Sequence, residues 1–461
     1  MIGDLEPYAE YKDSGLPWLG EVPAHWEIKR GKSYLTAIDQ RSKTGKEELL
    51  TVSSARGVIP RRTANVTMFK AESYAGHKLC WPDDLVINSL WAWAGGLGVS
   101  KHHGIISTAY SVYRARRSAG INPRFLHELV RSSAFQWELK VRSKGVWISR
   151  LQLTDTAFLD SPIPLPPPEE QAAIVRFLDW ANGRLERAIR AKRKVIALLN
   201  EQKQAIIHRA VTRGLDPSVP LKPSRIPWLG DIPTHWDVRR AKYLFREVDE
   251  RSMDGSEELL SVSHLTGITP RSQKNITMFK AASYVAHKVC KPGDLVANTM
   301  WAWMGALGVS THTGIVSPAY AVYRPLYYNT IVGTYMDNVL RTKPYLSNII
   351  CRSTGLRASR LRLYPDEFFR LEIIQPPHDE QLKIVESIQV ETADLDTAIS
   401  RLSREIDLLS EYRTRLVADV VIGKLDVREA AAMLPDEELL PDLAAADDEP
   451  DDLPIEEEDD T

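Results

Sequence analysis

Two stretches of the chain carry apolar residues stepped by three and four. The first runs Ile174, Leu178, Ala181, Leu185, Ala188, Val195, Leu199, Ile206; the second runs Ile384, Ile388, Leu395, Ala398 or Ile399, Leu402, Ile406, Leu409, Leu416. That spacing lays one apolar stripe along an α-helix. Each stretch follows a proline cluster (Pro164 to Pro168; Pro376-Pro377) and opens with acid-acid-Gln, Glu169-Glu170-Gln171 and Asp379-Glu380-Gln381. Prolines just outside a helix and carboxylates in its first turn mark an N-terminus, because the missing N–H costs nothing there and the dipole favours negative charge. Apart from Gly183 no Gly or Pro interrupts either run, so helices are expected from about Glu169 to Arg213 and from Asp379 to Ile422, each about 60 Å long. A single seam of that length suits a coiled coil between the two helices; the alternative is that each packs only on its own domain. Elsewhere the apolar runs are short and β-like, at Leu49–Ser53, Lys78–Cys80, Leu85–Asn88 and Ala109–Arg114, broken at Gly57, Pro60 and Pro82. The expected fold class is α+β, with a curved sheet in each globular part.

The pattern occurs twice. Pro17-Trp18-Leu19-Gly20, Pro23 and His25-Trp26 recur 210 positions later as Pro227-Trp228-Leu229-Gly230, Pro233 and His235-Trp236. At the same offset Asn65-Val66-Thr67-Met68-Phe69-Lys70 meets Asn275-Ile276-Thr277-Met278-Phe279-Lys280, and Trp91-Ala92-Trp93 meets Trp301-Ala302-Trp303. Roughly 55 identities fall in the 98 positions from Pro17 to Arg114, which is an internal duplication of a unit large enough to hold its own core. The register persists through Arg142-Ser143, Gly145 and Ser149-Arg150-Leu151 against Arg352-Ser353, Gly355 and Ser359-Arg360-Leu361.

Composition adds a charge asymmetry. The 461 residues carry 59 basic and 61 acidic side chains, yet 14 of the acids and none of the bases lie in residues 436–461, leaving the body at a formal +12. A basic body suits a polyanionic partner; the acidic end reads as a disordered, solubilising tail. Twelve Trp and 16 Tyr exclude a wholly disordered chain. The segment Leu85–Val99, broken by Asn88, Ser89 and glycines, is too short and polar to span a membrane. Residues 1–15 lack the basic start and apolar run of a signal peptide, and Cys80, Cys290 and Cys351 are too few and scattered for a disulfide framework or thiolate zinc site. A cytoplasmic location is expected.

Catalytic signatures fail when the copies are compared. Gly31-Lys32-Ser33 lacks the earlier glycine of a phosphate loop and becomes Ala241-Lys242-Tyr243; Pro82-Asp83 with Glu138-Leu139-Lys140, a superficial nuclease pattern, loses its first acid to Gly293; of His102-His103 the copy keeps only His312. No metal and no cofactor is expected in this chain. What repeats is a set of basic and amide residues: Arg61, Arg62, Asn65, Lys70, His77, Lys78, Arg142, Lys144 and Arg150 in one copy, and Arg271, Lys274, Asn275, Lys280, His287, Lys288, Arg352, Arg357 and Arg360 in the other. Arg and Lys grip phosphates or the acceptor edge of guanine, and Asn reads adenine. Asn65, Asn275, Asn88 and Asn298 serve equally well as turn or capping residues. Met68, Phe69, Trp91 and Trp93 are read as core in preference to stacking platforms.

The doubled Pro-Trp-Leu-Gly heads, Asp84-Leu85-Val86 and Asp294-Leu295-Val296, Trp-Ala-Trp with Gly98-Val99-Ser100 and Gly308-Val309-Ser310, and the Pro-Pro-acid-Glu-Gln helix starts together resemble the specificity subunit of type I restriction-modification systems, over about Tyr11 to Asp426. The resemblance implies two tandem target-recognition domains joined by two long antiparallel coiled-coil helices with approximate two-fold symmetry. Its domains would be 1–165 (first recognition domain), 166–213 (first spacer helix), 214–375 (second recognition domain), 376–423 (second spacer helix) and 424–461 (C-terminal segment with the acidic tail). It further implies a non-catalytic subunit that reads a bipartite, gapped duplex DNA target. Its partners would be two methyltransferase subunits using S-adenosylmethionine, and restriction subunits using ATP and Mg. The seam residues Ile174, Leu178, Leu185, Leu199, Ile384, Ile388, Leu395, Leu402 and Leu409 would hold the spacer together and build much of the methyltransferase docking surface. Family members often carry dissimilar recognition domains, whereas these two are alike, so a near-inverted repeat is the expected target. Half-site differences should then fall where the copies diverge: Ser54-Ala55-Arg56 against His264-Leu265-Thr266, Arg62-Thr63-Ala64 against Ser272-Gln273-Lys274, and Val146-Trp147-Ile148 against Leu356-Arg357-Ala358. The alternatives are a free-standing duplicated DNA-binding regulator or an antirestriction protein.

Overall fold

The computed structural model describes residues 5–64, 73–145, 151–264, 266–273, 283–327, 330–355 and 361–435. The chain divides into two compact units, residues 1–191 with 405–461, and residues 192–404.

The first unit is built around a four-stranded antiparallel sheet. Its strands are β1 (Leu35–Ile38), β2 (Leu85–Asn88), β3 (Leu97–Val99) and β4 (Tyr110–Ala115), in the order β1-β4-β2-β3. The expected strands at 78–80 and 85–88 have those bounds, and those at 49–53 and 109–114 shift by one residue. Both faces of the sheet are buried: Leu85, Ile87 and Tyr113 point into the main core, while Val86 and Val112 join Leu50, Val58, Cys80 and Ile106 in a second cluster. Double burial explains why Leu85-Val86-Ile87 is continuously apolar where a half-exposed strand would alternate. The second cluster is closed by a hairpin, Leu50–Ser53 with Gly57–Pro60, and by Lys78–Cys80 paired with Gly104–Ile106. Two helices, α1 (Pro123–Arg131) and α2 (Ser133–Arg142), cover the other face. Glu27–Arg30 pairs antiparallel with Pro162–Leu165, so the end of the globular part returns to its beginning just before α3 (Pro168–Arg213).

The second unit repeats the plan: β5 (Phe245–Glu247), β6 (Leu295–Ala297), β7 (Leu307–Val309) and β8 (Ala321–Pro325) in the order β5-β8-β6-β7. Its helices are α4 (Gly333–Leu340) and α5 (Lys343–Arg352), and the long α6 spans His378–Val421.

At 46 and 44 residues, α3 and α6 match the bounds expected from the periodicity. In the second unit Lys203 pairs with Asp396, and Arg209 with Glu391 at 3.2 Å. Six residues forward on one helix is therefore five back on the other, which makes the packing antiparallel. In the first unit Glu186 and Arg413 pair at 2.7 Å, and Ile174, Phe177, Leu178 and Ala181 share a core with Leu416, Val420, Val421 and Ile422. The helices are charge-complementary: α3 carries ten Lys and Arg against five acids, α6 ten acids against five Lys and Arg. Not every seam position is equally deep. Ile174, Leu178, Leu185, Ile384 and Ile388 are buried, whereas Leu199, Leu395, Leu402 and Leu409 are half-buried, because a stretch covered by one partner helix alone leaves its flanks in water. Two expected positions are corrected: Val195 is exposed, and Ile207 is buried where Ile206 is only half-buried.

Past α6 the chain returns to the first unit, where Val427, Ala431 and Leu434 are buried and the Asp426 N–H donates to the Glu6 carbonyl at 2.8 Å. The acidic residues 436–461 lie outside the described part. Among the described residues no helix is long and apolar enough to cross a membrane, no cluster of three or more metal-ligating side chains occurs, and all three cysteines are free.

Candidate nucleic-acid interface

The repeated motifs of each copy are structural anchors. Glu170, in the first turn of α3, is buried and accepts hydrogen bonds from Tyr8 Oη (2.6 Å) and Trp26 Nε1 (2.8 Å), with His25 Nε2 at 2.7 Å. Gln171 receives the Asn122 N–H and donates to the Gly120 and Pro166 carbonyls. Their equivalents repeat this in part: His235 contacts Glu380 at 2.7 Å, and Gln381 receives the Val332 N–H. The acid-acid-Gln motif was legible as a helix start; its second role, clamping the His-Trp head to the helix, was not. Asp84 is likewise buried, gripping Arg114 through two bonds of 2.7 and 2.8 Å, as Asp294 grips Arg324 at 2.8 Å twice. The Asp-Leu-Val motif is thus half ion pair and half strand.

Several predicted contact residues are turned inward. Lys78 Nζ donates to the Tyr110 carbonyl at 2.7 Å, and Lys288 is buried with Glu247 and Asp249 each 3.9 Å away. Arg142 pairs with Glu138 in the turn before it; Arg352 donates to Asn348 at 2.9 Å and approaches Glu367 at 3.5 Å. His77 and His287 stand edge-on to Tyr74 and Tyr284, their ring centroids 5.2 Å apart. These side chains hold strands and helix ends, because each follows or precedes a buried strand or caps a helix turn.

Others remain at the surface. Lys144 is exposed, its backbone paired with that of Gln152. Arg61 and Arg271 open short 3₁₀ turns after the hairpin, and Arg62 is 79% exposed beside Glu48. Asn65, Lys70, Arg150, Lys274, Asn275, Lys280, Arg357 and Arg360 lie outside the described residues, as do Met68, Phe69, Leu265 and the third divergent segment of each copy.

In the first copy two of the divergent segments meet. The hairpin turn Ser54-Ala55-Arg56 is exposed, and Arg56 donates to the Thr63 carbonyl at 2.9 Å, joining it to the Arg62-Thr63-Ala64 turn. Just past Gln152, the Leu153 N–H donates to the Ser89 carbonyl, at the root of the Trp-Ala-Trp turn. Arg131, at the end of α1, donates to Ser54 (2.6 Å), Ala55 (2.8 Å), Gly95 (3.2 Å) and Leu97 (2.7 Å) carbonyls, joining the hairpin turn to that same turn. The expectation that Trp91 and Trp93 are core is corrected: Trp91 is 52% exposed and stacks on Trp93 at 6.0 Å, and Trp301 and Trp303 stack at the same distance. The turn leaves these rings too few neighbours to cover them. Asn88 and Asn298 are turn residues, accepting the Leu90 and Met300 N–H groups at 3.2 Å.

Beside Arg131, His127 Nδ1 accepts the Val99 N–H at 3.1 Å, and burial pushes its pKa down to about 4. Its equivalent is Asp337, which accepts the Val309 N–H at 2.7 Å; burial pushes that carboxyl up to about 6, against the opposing pull of the hydrogen bond and of Arg341. Gly57, at φ +74°, must be glycine on conformation, and a Cβ there would lie 3.0 Å from the His127 ring.

No protein-family model matches the chain. Among solved structures, a chain described in work on complex assembly and conformational transition of the type I R-M system aligns with a TM-score of 0.56 at 18% identity, over 88% of this chain and 99% of that one. The HsdS subunit from Thermoanaerobacter tengcongensis aligns at 0.39 with 19% identity over 88% and 98% of the two chains. The type I restriction-modification S subunit from M. genitalium aligns at 0.33 with 10% identity over 90% and 99%. The first of these likenesses shows a shared fold over nearly the full length.

Proposed function

We propose that this chain is the DNA-specificity subunit of a type I restriction-modification complex, working in the cytoplasm. Each copy reads one half of a gapped duplex target, and the paired helices set the gap. The observation that carries this reading is the fold shared, over 88% of this chain and 99% of the other, with a chain described in work on a type I R-M system, in a protein whose body is a duplicated basic unit. The chain itself performs no covalent step. Adenine methylation with S-adenosylmethionine belongs to two methyltransferase subunits seated on the spacer helices, and cleavage with ATP and Mg to restriction subunits. Arg61, Arg62, Lys144 and Arg271, with the basic and amide residues flanking them, contact phosphates and base edges, while Lys78, Lys288, Arg142 and Arg352 shape the domains.

Two like domains related by an antiparallel helix pair would meet like sequences on opposite strands, as two-fold symmetric repressors do, so the target is close to an inverted repeat. Co-expression with methyltransferase subunits of its own operon, followed by sequencing of methylated bases, tests the reading. One bipartite motif with related half-sites, dependent on this chain, is expected. Methylation by the purified chain alone, or failure to co-purify with any methyltransferase subunit, would overturn it.

A further inference from the structure

Arg131, half-buried at the end of α1, uses its charged, five-donor fork on four main-chain carbonyls, those of Ser54, Ala55, Gly95 and Leu97. A guanidinium is planar and rigid, so four simultaneous bonds fix the hairpin turn and the Trp-Ala-Trp turn relative to each other in a way one ammonium cannot. The bonds go to backbone oxygens only. The side chains of Ser54-Ala55-Arg56 can therefore change while the support stays the same. The second copy keeps the arginine: Arg341 donates to the Leu307 carbonyl at 2.9 Å, the equivalent of Leu97, and its Nη2 lies 2.7 Å from where a Cβ on Gly267 would stand, against the equivalent hairpin. Its companion differs, His127 in one copy and Asp337 in the other, but each takes the same strand N–H.

We propose that Arg131 is a positioning residue for half-site recognition, aiming the exposed hairpin turn through its main chain so that the turn's side chains are free to set which bases are read. This rests on the proposed function, and assigns the support of specificity in the first half to one arginine. The role differs from packing alone because it predicts which half of the target is affected.

The test uses the full chain assembled with its methyltransferase subunits, and duplexes carrying the motif that the wild-type complex methylates, intact or with single base changes in one half. Arg131→Met and Arg131→Lys are compared with Arg341→Met. In the Arg131 variants, discrimination between intact and altered first half-site should fall tenfold or more, with discrimination at the second half-site and the salt dependence of nonspecific DNA binding unchanged; Arg341→Met should leave first-half discrimination intact. Arg131→Lys should fail to rescue, since it keeps the charge and loses the fork. Equal loss at both half-sites, or full first-half discrimination in Arg131→Lys, would overturn the proposal. A variant that fails to assemble is replaced by Gly95→Ala, which at φ +82° displaces a clamped carbonyl with the arginine intact and should give the same first-half loss; normal discrimination there also counts against it. If wild-type chain supports no sequence-dependent methylation, it is the proposed function that fails.

Discussion

The exchange of His127 for Asp337 at equivalent places makes the two units respond to acid in opposite senses. Unfolded, Asp337 loses its proton at an ordinary 3.8, but folded it holds it to about 6. Between those values the native state binds more protons, so the stability present below 3.8 is lost as pH climbs through about 6. His127 takes up a proton at 6.5 when unfolded and only near 4 when folded, so the stability present above 6.5 is lost as pH falls toward 4. At about 1.4 kcal/mol per tenfold change in proton affinity, each effect is on the order of 3 kcal/mol. Asp337→Asn keeps an oxygen for the Val309 N–H and removes the ionisable proton. It should stabilise the second unit by up to about 3 kcal/mol at pH 7.5 and by almost nothing at pH 4. A single unfolding midpoint would average two units; hydrogen exchange read on peptides covering 307–311 and 97–101 separates them. His127→Asn should flatten the acid side of the first unit only. Equal effects of Asp337→Asn at both pH values, or destabilisation at pH 7.5, would refute the assigned environment.

Other outcomes follow from the helices and the divergent turns. Leu178→Ala, at a fully buried seam position, should cost about 2–5 kcal/mol in chemical unfolding, and Leu199→Ala, half-buried, less than about 1.5 kcal/mol; the reverse order would contradict the seam described. Heptad insertions in α3 near Leu199 and in α6 near Leu402 keep the seam in register and should lengthen the gap between half-sites without altering the bases read, which sequencing of methylated sites checks directly. Replacing Ser54-Ala55-Arg56 by His-Leu-Thr should move the methylated motif toward a perfect inverted repeat; an unmoved motif would remove this turn from base reading.

The long helices were legible because their signal is local and redundant: an unbroken 3.6-residue period and the same proline-acid start in both copies. Four strands of the first copy were legible in extent but not in pairing; β1, β3 and the hairpin strand Gly57–Pro60, whose glycine and proline read as breaks, were not legible. Leu85-Val86-Ile87 announces a buried strand, yet nothing in it says that β4 lies on one side and β3 on the other. The charged residues were the hardest to read. Lys288 is exposed or buried depending on Glu247 and Asp249, some 40 residues upstream, and Arg131 carried no signal at all, since its partners are main-chain carbonyls that every residue owns.

The duplication itself supplies a filter that a single domain would lack. Where the copies differ and each difference is met by a local partner, the position is structural: Arg142 meets Glu138 where Arg352 meets Asn348. A second pair shows incomplete compensation. Tyr8 donates to Glu170, but Ser218 takes its place in the second copy and the buried Trp236 Nε1 finds no partner among the described residues, so the second head lacks a bond the first one has. The exposed hairpin turn behaves differently. Ser54-Ala55-Arg56 is held by Arg131 through its backbone alone, and the equivalent arginine is kept in the second copy, on the Leu307 carbonyl. Side chains that point outward from a main-chain support can change without disturbing it, which is what independent adjustment of a half-site requires.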